Sequence, residues 1–178
     1  STESTTTISS SITTTKSTTT KSTTKPSTIS TTQPSTIFTA CPTICPVISS
    51  QLARVHDRLA ADGLSDRVAL LTHTVDPAND TPERMRRYAD RLGADPDLWR
   101  FLTGPKDDLY DLLQEGYLLT ALASDTAAGG FFHSDQILIV DAEGHIRGTY
   151  DGTKTSDVDR MLENVYGLLA RTDARNMP

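Results

Sequence analysis

The stretch Ile37-Phe38-Thr39-Ala40-Cys41-Pro42-Thr43-Ile44-Cys45-Pro46 holds both cysteines of the chain, four positions apart. Ile37 to Thr39 reads as the end of a buried strand. Pro46 is tolerated only near the first turn of a helix, so a helix must begin close to Cys45. The cysteines therefore sit on a strand-to-helix turn. A thiol there meets unpaired backbone N–H groups and the positive end of the helix dipole, and both favour the thiolate that attacks disulfides and binds metal. Positions i and i+4 of a helical turn face the same way. Two sulfurs can then converge on one ion or close one disulfide. A purely structural disulfide is the weaker reading, because so short a loop gains little unfolded-state entropy from closure.

Around that turn the composition is uneven. Residues 1–36 are mostly Ser and Thr, with Ile8, Ile12 and Ile29 as their only aliphatic residues and Glu3 set against Lys16, Lys21 and Lys25. Such a run buries too little apolar surface to offset the entropy of ordering it. It reads as a Ser/Thr stalk, with some β structure docked on the domain as the alternative. The expected division is a tail over 1–33, a domain over 34–172 and a short tail over 173–178. The chain carries a net charge of −6, and its first 36 residues contribute +2, which leaves −8 on the rest. An acidic domain is a poor nucleic-acid binder. No run approaches about 18 apolar residues, so the sequence offers no transmembrane helix.

From Ile37 onward strands and helices alternate. Val47, Ile48, Leu52, Val55 and Leu59 mark the apolar face of a helix that stops by Gly63. Val68-Ala69-Leu70-Leu71 predicts a strand buried on both faces. Asp80-Thr81-Pro82-Glu83 is a helix start, with Thr81 as cap and Pro82 at the first helical position. Trp99 to Leu102 predicts a strand, Pro105 to Glu115 a helix, Leu118 to Leu122 a strand, and Ser124 to Gly130 a small-residue loop. Gln136 to Val140 and Ile146 to Tyr150 form a hairpin around Asp141-Ala142-Glu143-Gly144. Ser156 with Asp159 resembles a capping box before a last helix. In that region Met161 reads as core filler and Met177 as tail, not as copper ligands. This order is that of an α/β, thioredoxin-like domain, a central mixed sheet flanked by helices. The strand before the cysteines is central, and Asp76 shares their edge of the sheet.

Of the four histidines, His56 and His145 read as surface residues and His73 as a hydrogen-bonded packing residue. His133 follows Gly129-Gly130 and opens the Gln136–Val140 strand, whose start faces the cysteine turn in such a fold. Two soft thiolates and one imidazole suit Cu(I), and zinc also accepts them. A structural zinc site requires four ligands, whereas three leave the site open. A dithiol oxidoreductase is the rival reading. Thioredoxins usually place two residues between their cysteines, and this chain has three. The cis-proline that such enzymes place opposite the cysteines is replaced here by the Phe132-His133 region.

Cys41-Pro42-Thr43-Ile44-Cys45-Pro46, Val75-Asp76-Pro77, Asp80-Thr81-Pro82-Glu83, Phe101-Leu102-Thr103-Gly104, His133-Ser134 and Val140-Asp141, in that order, resemble the Sco/SenC family over about Ile37 to Leu169. The resemblance implies a metallochaperone, not an enzyme. One copper ion, as Cu(I) or Cu(II), would be held by Cys41, Cys45 and His133, with Asp76 in support. Its destination would be the dinuclear copper A centre of cytochrome c oxidase. The partners implied are the oxidase's copper-bearing subunit or other respiratory subunits, and a copper donor protein. Thiol-disulfide exchange on protein cysteines, or an accessory role in a respiratory complex, is the alternative. The family lies on the extracytoplasmic, in bacteria periplasmic, side of a membrane, tethered by an N-terminal anchor. A cleaved segment, a lipid or residues beyond this chain would supply that anchor. The departure is at the front, where Ser and Thr occupy the place of the family's additional β-hairpin.

Overall fold

The computed structural model describes residues 29–119, 121–123 and 131–176, the side chains of 121–123, 131–133 and 176 excepted. The expected loop over Ser124 to Gly130, and Met177, lie outside the described residues. The elements run β1 (Thr31–Ile37), α1 (Ile44–Ala61), β2 (Val68–Thr74), α2 (Pro82–Leu92), β3 (Trp99–Leu102), α3 (Lys106–Asp111), a π-helical turn (Leu112–Gly116), β4 (Ala121–Ala123), β5 (Phe131–His133), β6 (Gln136–Asp141), β7 (Ile146–Asp151) and α4 (Thr155–Asn176). Five strands form a mixed sheet in the order β3-β2-β1-β6-β7. The β1–β2 and β2–β3 pairs are parallel, and β1–β6 and β6–β7 antiparallel. The fold is thioredoxin-like, with β1 at the centre. Strands β4 and β5 form a separate antiparallel pair.

Alternation along β6 shows how the two layers form. Ile137 and Ile139 join α1 and α4 in one core, through Leu52, Val55, Met161 and Val165. Leu138 and Val140 join the other, with Met85 of α2, Leu109 of α3, Leu113 of the π turn, and Cys45. Met161 is fully buried, as a core filler should be. Helix α2 has the predicted ends. Thr81 accepts the Arg84 N–H at 3.4 Å, and Gly93 closes the helix in the left-handed region at φ 68°.

Four expectations are corrected. Strand β1 starts at Thr31, inside the tail expected over 1–33, and Gln33, Ser35 and Thr36 are buried in it. Its hydroxyls find partners instead of water: Thr31 Oγ1 donates to the Val140 carbonyl at 3.1 Å, and Thr36 Oγ1 to the Ser134 carbonyl at 2.9 Å. The β1–β6 pairing covers only Thr31 and Thr32, so Pro34 falls where that side of the ladder has ended and its missing N–H is tolerated. At the other terminus α4 continues to Asn176, past the boundary expected at 172. Because α4 begins at Thr155, Ser156 lies inside the first turn and makes no capping box, and Asp159 pairs with Arg54 at 2.6 Å. His56 is 6% exposed rather than at the surface. It follows Leu52 by four positions and so shares the buried stripe of α1. Its Nε2 accepts the Asp95 N–H at 3.1 Å, and its ring lies 5.9 Å from that of Trp99. His145 is exposed, as expected.

Candidate metal centre

Strand β1 ends at Ile37, and the next residues turn into α1, so both cysteines stand at the carboxyl end of the central strand. The Cys41 N–H donates to the Phe38 carbonyl at 3.1 Å, which tightens this turn. Thr43 precedes the helix without a side-chain cap. The Cys41 sulfur takes that place, accepting the Cys45 N–H at 3.5 Å, with Thr43 Oγ1 at 3.8 Å. Cys41 is half-buried, Cys45 is 1% exposed, and both are free thiols. The pair is electrostatically unequal. Burial pushes the Cys41 thiol up, but hydrogen bonds with Cys45 and with the backbone of Thr43 and Cys45 outweigh it, so the net direction is down. Burial pushes Cys45 far up, and the neighbouring Cys41 sulfur adds to the effect.

The turn is clamped by a residue that the sequence suggested only as a helix start. Asp80 is 1% exposed and reaches across from the loop before α2. Its carboxylate accepts the Thr39 N–H at 3.0 Å, the Thr39 hydroxyl, and the Thr74 hydroxyl at 2.6 Å, with Arg84 at 3.7 Å. A buried carboxylate with this many donors ties the cysteine turn to the end of β2. The local cue was present in the spacing Asp76-x-x-x-Asp80, but nothing local pointed Asp80 at Thr39. Ser49 and Tyr88 were also missed. Ser49 stands one helical turn after Cys45, its hydroxyl 2.9 Å from that of Tyr88. Burial raises the Tyr88 phenol, and the nearby Cys45 and Cys41 sulfurs raise it further.

Asp76 lies on the same edge and is buried. Its carboxylate accepts two hydrogen bonds from Asn79 Nδ2, at 3.2 and 2.9 Å, and lines a cavity of about 300 Å³ with Gly104, Lys106 and Tyr110. His133 ends β5, opposite Ala121 of β4, and does not open β6. Its side chain lies outside the described residues. Its backbone neighbour Ser134 is anchored by Thr36, one residue before the end of β1. The His133–Ser134 segment thus reaches the end of the central strand from which the cysteine turn departs. His73, on β2 beside Thr36, is buried with its ring edge toward Tyr117 at 5.5 Å. It is a packing residue, but its Nδ1 has no hydrogen-bond partner. Burial pushes it down to about 4 against an opposing hydrogen bond with the Ser35 backbone.

A second group of ligand types, Asp141, Glu143 and His145, lies at the other end of the sheet, where Asp141 is in register with Thr31. Asp141 is already engaged there by Arg147 Nε at 2.5 Å and by the N–H groups of Glu143 and His145 at 3.0 and 2.8 Å.

The SCO1/SenC family model matches residues 13–170. A protein of Stutzerimonas stutzeri named for copper binding is 32% identical over 110 residues, 61% of this chain and 52% of its own length. The chain spans 64% and 52% of the lengths of the two curated relatives it matches. Among solved structures, a SCO1/SenC family lipoprotein from Bacillus anthracis superposes with a TM-score of 0.71 at 20% identity, over 80% of this chain and 83% of that one. The copper-bound ScoI of Arabidopsis thaliana gives 0.64 at 22% identity, over 80% and 85%. These structural likenesses carry the fold, and the family model carries the membership: the chain belongs to the SCO1/SenC family.

Proposed function

We propose that this chain takes one copper ion on the Cys41 and Cys45 sulfurs with His133 as third ligand, and hands it to the copper A centre of a cytochrome c oxidase. The observation that carries the reading is the cysteine turn: two free thiols at one helix N-terminus, one half-exposed and one buried, held by Asp80. Soft sulfur donors select Cu(I), and three ligands leave the ion open to transfer. The hydrogen bond from Thr36 to Ser134 supports a third ligand arriving from His133. Family membership and the copper-bound ScoI relative support copper as the cargo. The oxidase partner and the copper donor come from the family resemblance. An extracytoplasmic, membrane-tethered location is part of the proposal, and the lipoprotein relative supports it. Among the described residues no helix is long and apolar enough to cross a membrane.

The inequality of the two thiols favours one second reading. A half-exposed thiol shifted down is suited to attack a protein disulfide, and a buried partner shifted up is suited to resolve it. In that reaction Cys41 and Cys45 together give two electrons and two protons, end as a disulfide, and leave the substrate as two thiols. Anaerobic Cu(I) titration of wild type and His133→Ala, with thiol-exchange rates on the same samples, separates the two. Copper delivery expects one tightly bound copper in the reduced chain, none in the oxidised chain, and at least about a tenfold loss of affinity in His133→Ala with exchange retained. Tight binding absent from wild type, together with fast reduction of protein disulfides, would overturn it.

A further inference from the structure

In this acidic domain a helix of net positive charge lies beside an open sheet edge. Strand β3 ends the sheet, paired with β2 alone. The Leu70 N–H donates to the Leu98 carbonyl at 2.8 Å. Alternate residues of a parallel strand address alternate sides, so Phe101 turns its N–H and carbonyl outward. The Trp99 N–H is taken by the Asp95 carbonyl at 2.7 Å. Alongside this edge runs a groove of about 560 Å³, walled by Arg86 and Ala89 of α2, by Pro96, and by Arg100, Phe101 and Thr103. Asp90 is the one carboxylate residue among those lining it.

Arg86 and Arg100 put positive charge on the groove against Asp90, and the helix that forms its wall is basic. Helix α2 holds Arg84, Arg86, Arg87 and Arg91 against Glu83 and Asp90, a net +2, within residues 37–178 whose net charge is −8. Arg84 leans toward Asp80, and Arg91 lies over the Tyr88 ring at 5.4 Å. Arg86 and Arg87 are exposed and have no ion pair among the described residues; the Arg100 side chain, also exposed, donates to the Pro96 carbonyl at 3.4 Å. A guanidinium carries five donors in a fixed fork that matches a carboxylate.

We propose that the β3 edge and the α2 groove dock an extended, carboxylate-rich segment of a partner protein, which adds to the sheet as a sixth strand. Backbone pairing at Phe101 would supply affinity, and Arg86 and Arg100 would select acidic side chains. The inference does not rest on the copper reading.

The test uses the full chain and a synthetic decapeptide of alternating Glu and Val, followed by amide chemical shifts. The expected result is saturable binding that shifts the Phe101 and Thr103 amides and weakens as salt rises. The variant R86E should lower affinity at least about tenfold while leaving the melting temperature in place. A peptide with Pro in place of each Val should bind at least about tenfold more weakly, since every second residue then lacks the N–H that a strand donates. Failure of the Glu-Val peptide to bind at millimolar concentration overturns the proposal, as does binding that shifts amides elsewhere. Equal binding by a Lys-Val peptide removes the charge argument. Equal binding by the Pro peptide, or by a single-stranded oligonucleotide of the same charge, removes the strand argument.

Discussion

Strands β1 and β2 are neighbours in one sheet, paired over seven positions and almost equally buried, yet one reads Thr-Thr-Gln-Pro-Ser-Thr-Ile and the other Val-Ala-Leu-Leu-Thr-His-Thr. The apolar strand is stabilised by area removed from water. The polar strand must instead satisfy each buried group: Ser35 Oγ lies 3.1 Å from Thr72 Oγ1, which also accepts Trp99 Nε1–H at 2.9 Å. Each strand carries one failure of that kind, Gln33 Oε1 on β1 and His73 Nδ1 on β2. The difference teaches that burial in this sheet is set by position. Short hydroxylated side chains can hold a central position because their partners are built into the neighbouring strands.

The largest effect should come from removing the polar strand altogether. Deleting residues 1–37 takes away the strand that both β2 and β6 pair with, and calorimetry should then show no cooperative transition. Deleting residues 1–28 should leave the melting temperature within about 2 °C, since Ile8 and Ile12 are the only aliphatic residues there. A large loss from the shorter deletion would mean that the front of the chain contributes apolar burial after all.

A smaller, pH-dependent effect belongs to β2. His73 is held at about 4 in the folded chain, below the ordinary value of 6.5, because it is buried. As pH falls the unfolded chain therefore takes up this proton first. The stability contribution is complete above pH 6.5 and is lost progressively toward pH 4, about 3 kcal/mol in all and about 2 of it by pH 5. His73→Phe keeps a buried ring without the titrating nitrogen. Its unfolding free energy, measured by denaturant at pH 7 and pH 5, should fall less than that of wild type. Equal slopes would place the pH sensitivity elsewhere.

The same contrast explains what could be read in advance. Strand β2 announced itself, because a run such as Val68 to Leu71 has few other uses. The first four residues of β1 were hidden, because Ser and Thr read identically whether they face water or a facing hydroxyl. His56 was misplaced because polarity outweighed its helical phase with Leu52. At the site, the cysteines were legible from Pro46 and the strand before them, and their order along the chain with Asp76 and His133 carried the family resemblance. The Asp80 clamp on Thr39 was not legible, since it joins residues 41 apart in sequence that meet only once β1 and β2 pair. Nor was the basic groove, because Arg86 of α2 and Arg100 of β3 become one surface only when the strand is placed beside the helix.

The smallest effect tests whether β1 needs its polarity at Gln33. That side chain is fully buried, and its Nε2 donates to Thr31 Oγ1 at 3.2 Å while Oε1 has no partner. Gln33→Leu gives up one hydrogen bond, about 1 kcal/mol, and removes an unsatisfied buried acceptor that costs about 1–3 kcal/mol. Thr31 Oγ1 keeps its own bond to the Val140 carbonyl, so the substitution leaves no new orphan behind. Leu is close in volume to Gln and has no stranded polar atom, which makes β1 more like β2 at that position. The melting temperature should therefore stay level or rise by up to about 4 °C. A fall of more than about 4 °C would mean that the carboxamide is matched in solution by a bound water, and that the polar strand is satisfied along its whole length.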